Sequence, residues 1–355
     1  MGLKYHNLAA ALRTEINAGV YRESGRLPTE MQLSAAHQVS RETVRKALSL
    51  LVEEGLIERR QGSGSRVLPA PMRPANNNVA IIATFMDDYI FPSLLYHAQT
   101  ALEKQGFTTL VFSTQNQLSR EQEILQGLLE NPVRGILVEG VKTTLPNPNL
   151  NLYRRLEEMG VPIVFFHSSY PELECACISD DNWGGGYQAA EHLFSRGHSR
   201  IGGIFKCDDV QGVQRCAGFL AAMRDRGLPY PDRQIIWYGS VERQDMVERG
   251  DSQWLGNYLT SCLQDCTALI CYNDEMAYAL VKALLRLGRR VPEDVAVISF
   301  DSTYYSGISP VPITSLAHNP GRMGTLAASA MLDLLQGRPT ESKRLGWVLV
   351  EKQST

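Results

Sequence analysis

The chain has 355 residues, 44% hydrophobic and 21% charged, with a formal net charge of −3. That length exceeds one small core and that composition excludes a disordered or fibrous chain, so two or three globular domains are expected. The charge is uneven: residues 1–68 hold ten Lys/Arg against seven Asp/Glu and the rest hold 25 against 31, a basic front on an acidic body, as expected when only the N-terminal module meets phosphates.

No apolar run approaches the roughly 18 residues of a membrane span, and the polar, Ala-rich N-terminus does not read as a signal peptide, so a cytoplasmic location is expected. Seven cysteines, an odd number, suit reduced thiols rather than a disulfide framework. Cys175 with Cys177, and Cys262 with Cys266, lack the two-residue spacing and clustered His of a zinc site. There is no Gly-rich phosphate loop and no clustered nucleophile with a base. Neither a metal, nor a cofactor, nor catalysis is expected.

In chain order, Leu8, Leu12 and Ile16 share one face of a helix predicted over 6–18 that stops at Gly19. Residues 27–48 then predict two short helices with separate start signals. Thr29 caps the first, with Gln32 as its capping-box partner and Pro28 excluding helix upstream. Ser40 caps the second, in which Val44, Leu48 and Leu51 form an apolar face while Arg41 and Arg45 lie one turn apart on another. A capped helix that buries its aliphatic side and presents guanidinium forks suits the DNA major groove, but by itself it suits a solvated bundle face equally well. The next dozen residues decide between the two. Residues 56–60 and 65–68 predict two strands joined by Gln61-Gly62-Ser63-Gly64 and flanked by Arg59, Arg60 and Arg66, which makes a wing.

These signals, Leu-Pro-Thr-Glu, Ser-Arg-x-Thr-Val-Arg-x-Ala-Leu, Gly-Leu-Ile and a Gly-x-Gly wing, resemble the GntR family over residues 1–68. Arg41 and Arg45 are then expected to reach base edges or phosphates, with Ser40 and Thr43 holding phosphates at the helix N-terminus and Glu30 accepting from a cytosine amine. Gln61, Gly62 and Ser63 would approach the minor groove. Arg26 and Thr29 complete the expected DNA-binding set.

Residues 69–77, rich in Pro and Asn, predict a linker. From 78 to 355 short apolar runs at 79–83, 109–112, 135–138, 162–166, 201–205, 235–238, 268–271 and 295–300 alternate with helical stretches. This implies parallel sheets with crossover helices and a ligand at the carboxyl ends of the strands. Those ends carry Phe91, Glu139, His167, Lys206, Asn273, Asp274 and Asp301, a mixture of carboxylate, ammonium, amide and aromatic groups that binds a neutral polyol. Each has a plainer role too: Asn273 and Asp274 suit a helix cap, His167 a carbonyl partner and Phe91 a core position.

Arg196-Gly197-His198-Ser199-Arg200-Ile201-Gly202, Gln214-Arg215-Cys216-Ala217-Gly218-Phe219, Tyr272-Asn273-Asp274-Glu275 and the run 291–301 resemble the effector domain of LacI-type repressors. The fold implied is an N-terminal α+β winged helix-turn-helix joined to an α/β two-lobed periplasmic-binding-protein-like domain. The resemblance places Arg215 and Asp274 on the ligand, with Phe91 as an aromatic against it. The run 203–215, with Val138-Glu139 and 270–275, is similar to the arabinose repressors of the GntR family. Glu139, Lys206, Gln211, Arg215 and Asp274 are then the implied polar contacts to L-arabinose, and His167 is a further candidate. The function implied is a homodimeric repressor that binds palindromic operator DNA and is released by a small sugar. Competing expectations are another pentose, a uronic acid or a purine as effector, or a GntR head on a pyridoxal-enzyme-like body. The strand count and the Asn-Asp stretch argue against the last.

Overall fold

The computed structural model describes residues 2–17, 20–21, 25–53, 56–60, 64–67, 76–86, 90–248 and 253–355. The wing tip Gln61–Ser63 and almost all of the predicted linker lie outside them. The chain forms two compact units, one built on residues 1–75 and one on nearly all of 76–355.

In the first unit α1 (Gly2–Asn17), α2 (Glu30–Ala36) and α3 (Arg41–Glu53) precede the antiparallel strands β1 (Ile57–Arg60) and β2 (Gly64–Val67). Helix α1 begins at Gly2, four residues before the predicted start. Both predicted caps are present. Thr29 Oγ1 accepts from Gln32 N while Gln32 Oε1 accepts from Thr29 N at 2.9 Å, and Ser40 Oγ accepts from Thr43 N at 3.2 Å. Between α2 and α3 the chain turns through Gln38 in the left-handed region. Leu8, Leu12 and Ile16 of α1, Leu33 of α2 and Val44, Leu48 and Leu51 of α3 meet in one core closed by Leu27 and Ile57. Residues 25–27, which carry no strand pattern, run along β2. Leu27 N donates to Ser65 O and Val67 N donates to Gly25 O, both at 3.0 Å, so Arg26 lies on the wing sheet opposite Arg66.

The second unit has two lobes. In lobe 1 the sheet contains β3 (Asn78–Ala83), β4 (Thr108–Ser113), β5 (Gly135–Val138), β6 (Ile163–Phe166), β7 (Ala176–Asp180) and, at its edge, β13 (Lys343–Leu345), in the order β13-β7-β6-β5-β3-β4. Its helices are α4 (Phe91–Glu103), α5 (Leu118–Glu130), α6 (Leu150–Glu158) and α13 (Pro320–Leu335). In lobe 2 the sheet contains β8 (Ile201–Lys206), β9 (Ile235–Tyr238), β10 (Ala268–Cys271), β11 (Ala296–Asp301), β12 (Thr314–Ala317) and β14 (Val348–Val350), in the order β14-β12-β11-β10-β8-β9. Its helices are α7 (Asn182–Ser195), α8 (Val210–Asp225), α9 (Ser240–Glu248), α10 (Gln253–Thr260), α11 (Asp274–Arg286) and α12 (Tyr304–Ile308).

All strand pairs of the two sheets are parallel except β12 with β14. The predicted runs are apolar throughout because helices cover both faces. In β3, Val79, Ile81 and Ala83 face α4 and α13, while Ala80 and Ile82 are equally buried on the other side. The chain passes between lobes three times, after β7, after β12 and between β13 and β14.

Candidate effector site and DNA-binding face

Where the carboxyl ends of the two sheets meet lies a cavity of about 400 Å³, lined from both lobes. The backbone turns sharply at its rim. Gln115, Asn116, Lys142, His167 and Asp301 all line it in the left-handed region, with φ from 46° to 92°. Strain of about 1–3 kcal/mol per residue is tolerated where tertiary packing dictates the direction of a side chain, and its clustering here makes the cavity a candidate functional site.

From lobe 1, Glu139 follows β5 and accepts from Thr84 N at 2.9 Å and Thr84 Oγ1 at 2.5 Å through one oxygen. Its other oxygen lies 2.9 Å from His167 Nδ1. Burial disfavours charge on His167, but Glu139, Asp180 and Asp301 outweigh it and raise the imidazole pKa above its usual value. Phe91 opens α4 and sets its ring edge-on to His167, 6.4 Å between centroids.

From lobe 2, Lys206 is buried between Asp208 Oδ1, at 3.0 Å, and Asp209. Burial lowers its pKa, yet Asp209 and Asp208 more than restore it, so the ammonium stays charged. Arg215 is 1% exposed and reaches the cavity from α8. Its Nε donates to Asn182 Oδ1 at 2.9 Å, Nη1 to the carbonyl of Tyr272, and Nη2 lies 3.5 Å from Asp301 Oδ1. The rings of Phe300, Tyr272 and Trp347 surround the guanidinium at 4.4, 4.9 and 5.0 Å. Helix α8 sits this deep because Gly186 of α7 lies against the Arg215 carbonyl, where a Cβ would come within 1.9 Å.

The lobes touch across the cavity. Gln211 Nε2 is 3.1 Å from His167 Nδ1, Asn116 Nδ2 donates to Ser240 Oγ at 2.9 Å, Val210 N to Thr143 Oγ1 at 3.0 Å and Thr144 Oγ1 to Cys207 O at 2.6 Å. This is a closed cleft. Its hinge ties the crossovers together: His318 Nδ1, after β12, lies 2.9 Å from Asp180 Oδ2 at the end of β7, and Trp347 Nε1, between β13 and β14, donates to Asp181 O at 2.9 Å.

Of the nine effector residues named from the sequence, Phe91, Glu139, His167, Lys206, Gln211, Arg215, Asn273 and Asp301 line the cavity, and Asp274 does not. Asp274 is fully buried behind it. One carboxylate oxygen accepts from Ser299 Oγ and, at 2.7 Å, Ser315 Oγ; the other accepts from Thr303 N at 2.5 Å and Oγ1 at 3.0 Å. Consecutive residues on a helix point about 100° apart, so Asn273 faces the cavity while Asp274 faces the sheet. Asn273 also caps α11, its Oδ1 accepting from Met276 N at 3.0 Å, so the residue that starts this helix also lines the cavity. Sequence reasoning missed Asn116, Ser240, Arg243 and Tyr272, which follow strands β4, β9 and β10; the strand-end rule that found the others applies to them as well.

On the first unit Arg41 and Arg45 are exposed, as expected of a recognition surface. Glu30 is not a spare acceptor. Its two oxygens receive Arg45 Nε at 2.9 Å and Arg59 Nη2 at 2.5 Å, so it holds a helix arginine and a wing arginine together. Ser40 Oγ is likewise engaged, by Thr43 N and, at 2.9 Å, Thr43 Oγ1. Gln61, Gly62 and Ser63 lie outside the described residues.

Residues 4–67 match the family model for bacterial regulatory proteins of the gntR family, and residues 190–355 match that for the periplasmic binding protein-like domain. An arabinose metabolism transcriptional repressor of Halalkalibacterium halodurans is 33% identical over 95% of this chain and 90% of its own length. This chain belongs to the GntR family of bacterial transcriptional regulators, in the branch whose sensor is a periplasmic-binding-protein-like domain. A second such repressor, from Geobacillus stearothermophilus, is 32% identical over 95% and 93% of the two chains. The crystal structure of the transcription regulator GntR from Chromobacterium violaceum shares the fold, with a TM-score of 0.68 and 24% identity over 78% of this chain and 98% of that one. This GntR-family member is thus a DNA-binding transcriptional repressor and not an enzyme, and the expected two-part fold is borne out. No helix among the described residues is long and apolar enough to cross a membrane.

Proposed function

We propose that this GntR-family repressor acts in the cytoplasm as a homodimer on palindromic operator DNA and is released by L-arabinose. The observation that carries the sugar is near-full-length identity to two repressors of arabinose metabolism. The cavity agrees in kind. Glu139 and Asp301 accept from hydroxyls, Lys206 and Arg215 donate, the Asn273 and Gln211 amides do both, and Phe91 covers a C–H face. The working domains are a head at 1–68, a linker at 69–77 and a sensor at 78–355.

On the DNA, Arg41 and Arg45 meet bases or phosphates, Arg45 being pre-set by Glu30, while Arg26, Thr29, Ser40, Thr43 and the wing contact the backbone and minor groove. A 68-residue head offers too little surface for tight specific binding alone, so two heads read two half-sites. Arg45→Ala is expected to weaken operator binding by about 1–3 kcal/mol, read by fluorescence anisotropy, and to leave the thermal response to sugar intact. Equal loss of both would show only misfolding.

The effector is tested by thermal shift against L-arabinose, other pentoses, uronic acids and purines. A ligand at about a hundred times its Kd stabilises by about 2.7 kcal/mol. L-arabinose is expected to give the largest shift. A shift from another compound with none from L-arabinose would overturn the sugar assignment.

A further inference from the structure

The effector cavity uses the carboxyl ends of the lobe 2 strands; a second concavity, of about 540 Å³, opens at their amino ends. It arises from the parallel register. Ile201 lies beside Ala268, Ala268 beside Ala296 and Gly203 beside Ile235, so the residues that precede β8, β9 and β10 collect at one edge of the sheet. Arg200 precedes β8, Arg233 precedes β9, Cys266 and Thr267 precede β10, and Arg289 lies in the loop that leads to β11; all line the concavity.

Three guanidinium groups therefore converge in a body that otherwise carries more acid than base, 25 Lys/Arg against 31 Asp/Glu outside residues 1–68. Two are fixed by adjacent carbonyls. Arg200 Nε donates to Asp265 O at 2.9 Å, and Arg289 Nη2 to Cys266 O at 3.5 Å, which leaves the remaining N–H groups of each fork for another acceptor. Among the described residues, Arg200, Arg233 and Arg289 have no carboxylate within ion-pair distance; of the two acids on the same rim, Asp265 and Asp294, the latter is already held by Arg290 at 2.7 Å. Their fields meet at Cys266. Burial pushes its thiol up to about 11 and Asp265 adds to the push, while Arg289, Arg200 and Arg233 pull the other way.

We infer that this concavity is a second ligand site, specific for the phosphoryl group of a small metabolite. Planar forks approaching from different loops match the several oxygens of a tetrahedral oxyanion. A bound phosphoryl group would tie together the loops before β8, β9 and β10 and so stabilise lobe 2 from the end opposite the sugar. The site does not depend on which sugar fills the cleft.

The test is thermal shift of the full chain with inorganic pyrophosphate, ionic strength held constant with sodium chloride. Wild type is expected to show a saturable rise in Tm. Arg233→Ser, which removes an exposed side chain, should weaken the midpoint at least tenfold, and Arg233→Lys, which keeps the charge without the fork, should fall between. Absence of a saturable rise, or the same midpoint for wild type and Arg233→Ser, would overturn the site; the second result would place the anion elsewhere, such as on the basic head.

Discussion

Arg215→Ala is expected to abolish the effector response and to destabilise the sensor by about 3–5 kcal/mol, the usual result of removing one partner from a buried charge pair. Asp301 would lose its guanidinium neighbour at 3.5 Å, the Tyr272 carbonyl and Asn182 would lose donors, and three aromatic rings would lose the cation they enclose. Because that loss is large, Arg215→Lys is the sharper probe. It keeps a charge near Asp301 but not the fork that bonds Asn182 and the Tyr272 carbonyl and, in the proposed function, the ligand. The expected result is a folded protein with operator affinity near wild type and effector affinity down more than tenfold. Normal sugar response in Arg215→Lys would show that the fork does not hold the effector.

The second large effect concerns Asp274. Burial is the chief cause that raises its pKa to about 6, and Asp301 adds to it, against the lowering effect of bonds from Ser299, Ser315 and Thr303. A carboxyl whose pKa is higher folded than unfolded binds its proton more tightly in the native state. Its contribution is present below pH about 4 and is lost as pH rises through about 6, a change of about 3 kcal/mol. Asp180 and Asp208 have lowered pKa values, His318 and Lys206 respectively outweighing burial, so their contributions run the opposite way and are lost on acidification. Those slopes are common to wild type and Asp274→Asn and cancel in the difference. In the variant the amide oxygen can face Thr303 N while the Ser299 and Ser315 hydroxyls turn to accept. Between about pH 4 and 7, wild type should lose about 2 kcal/mol relative to Asp274→Asn. A pH-independent difference would contradict the assignment.

Much of the head was legible because its signals are local. Thr29 with Gln32, and Ser40 with Thr43, act within one helical turn, and the aliphatic spacing of Val44, Leu48 and Leu51 needs only the helical period. The apolar sensor strands, some only four residues long, were legible for a similar reason, since burial under helices leaves a continuous apolar run. Strands β7, β12, β13 and β14 were not. Three to five residues long, they carry groups such as Ser179, Thr314, Ser315 and Lys343, and they become strands only because neighbours supply their ladders. The turn of Asp274 away from the cavity has the same root. Which of two adjacent residues at a helix start turns toward a cavity depends on Ser299, Thr303 and Ser315, which lie 25 to 41 residues away. Likewise the occupation of Glu30 by Arg45 and Arg59 follows from a fold that brings positions 29 residues apart into contact.

In the proposed function, the hinge links occupancy of the cleft to the crossovers that join the two lobes. Arg215 packs on Trp347, Trp347 bonds Asp181, and Asp180 meets His318, so the cation proposed to meet the effector touches residues on the crossovers between lobes. To lower operator occupancy tenfold, the sugar must favour the DNA-incompetent state by about 1.4 kcal/mol, and DNA must weaken sugar binding by the same factor. The direct measurement is anisotropy of labelled operator, selected from random-sequence DNA by the sugar-free protein and titrated with L-arabinose. Release of the DNA, with sugar affinity reduced by the same factor when operator is present, is the predicted result; operator that stays bound under saturating L-arabinose would contradict it.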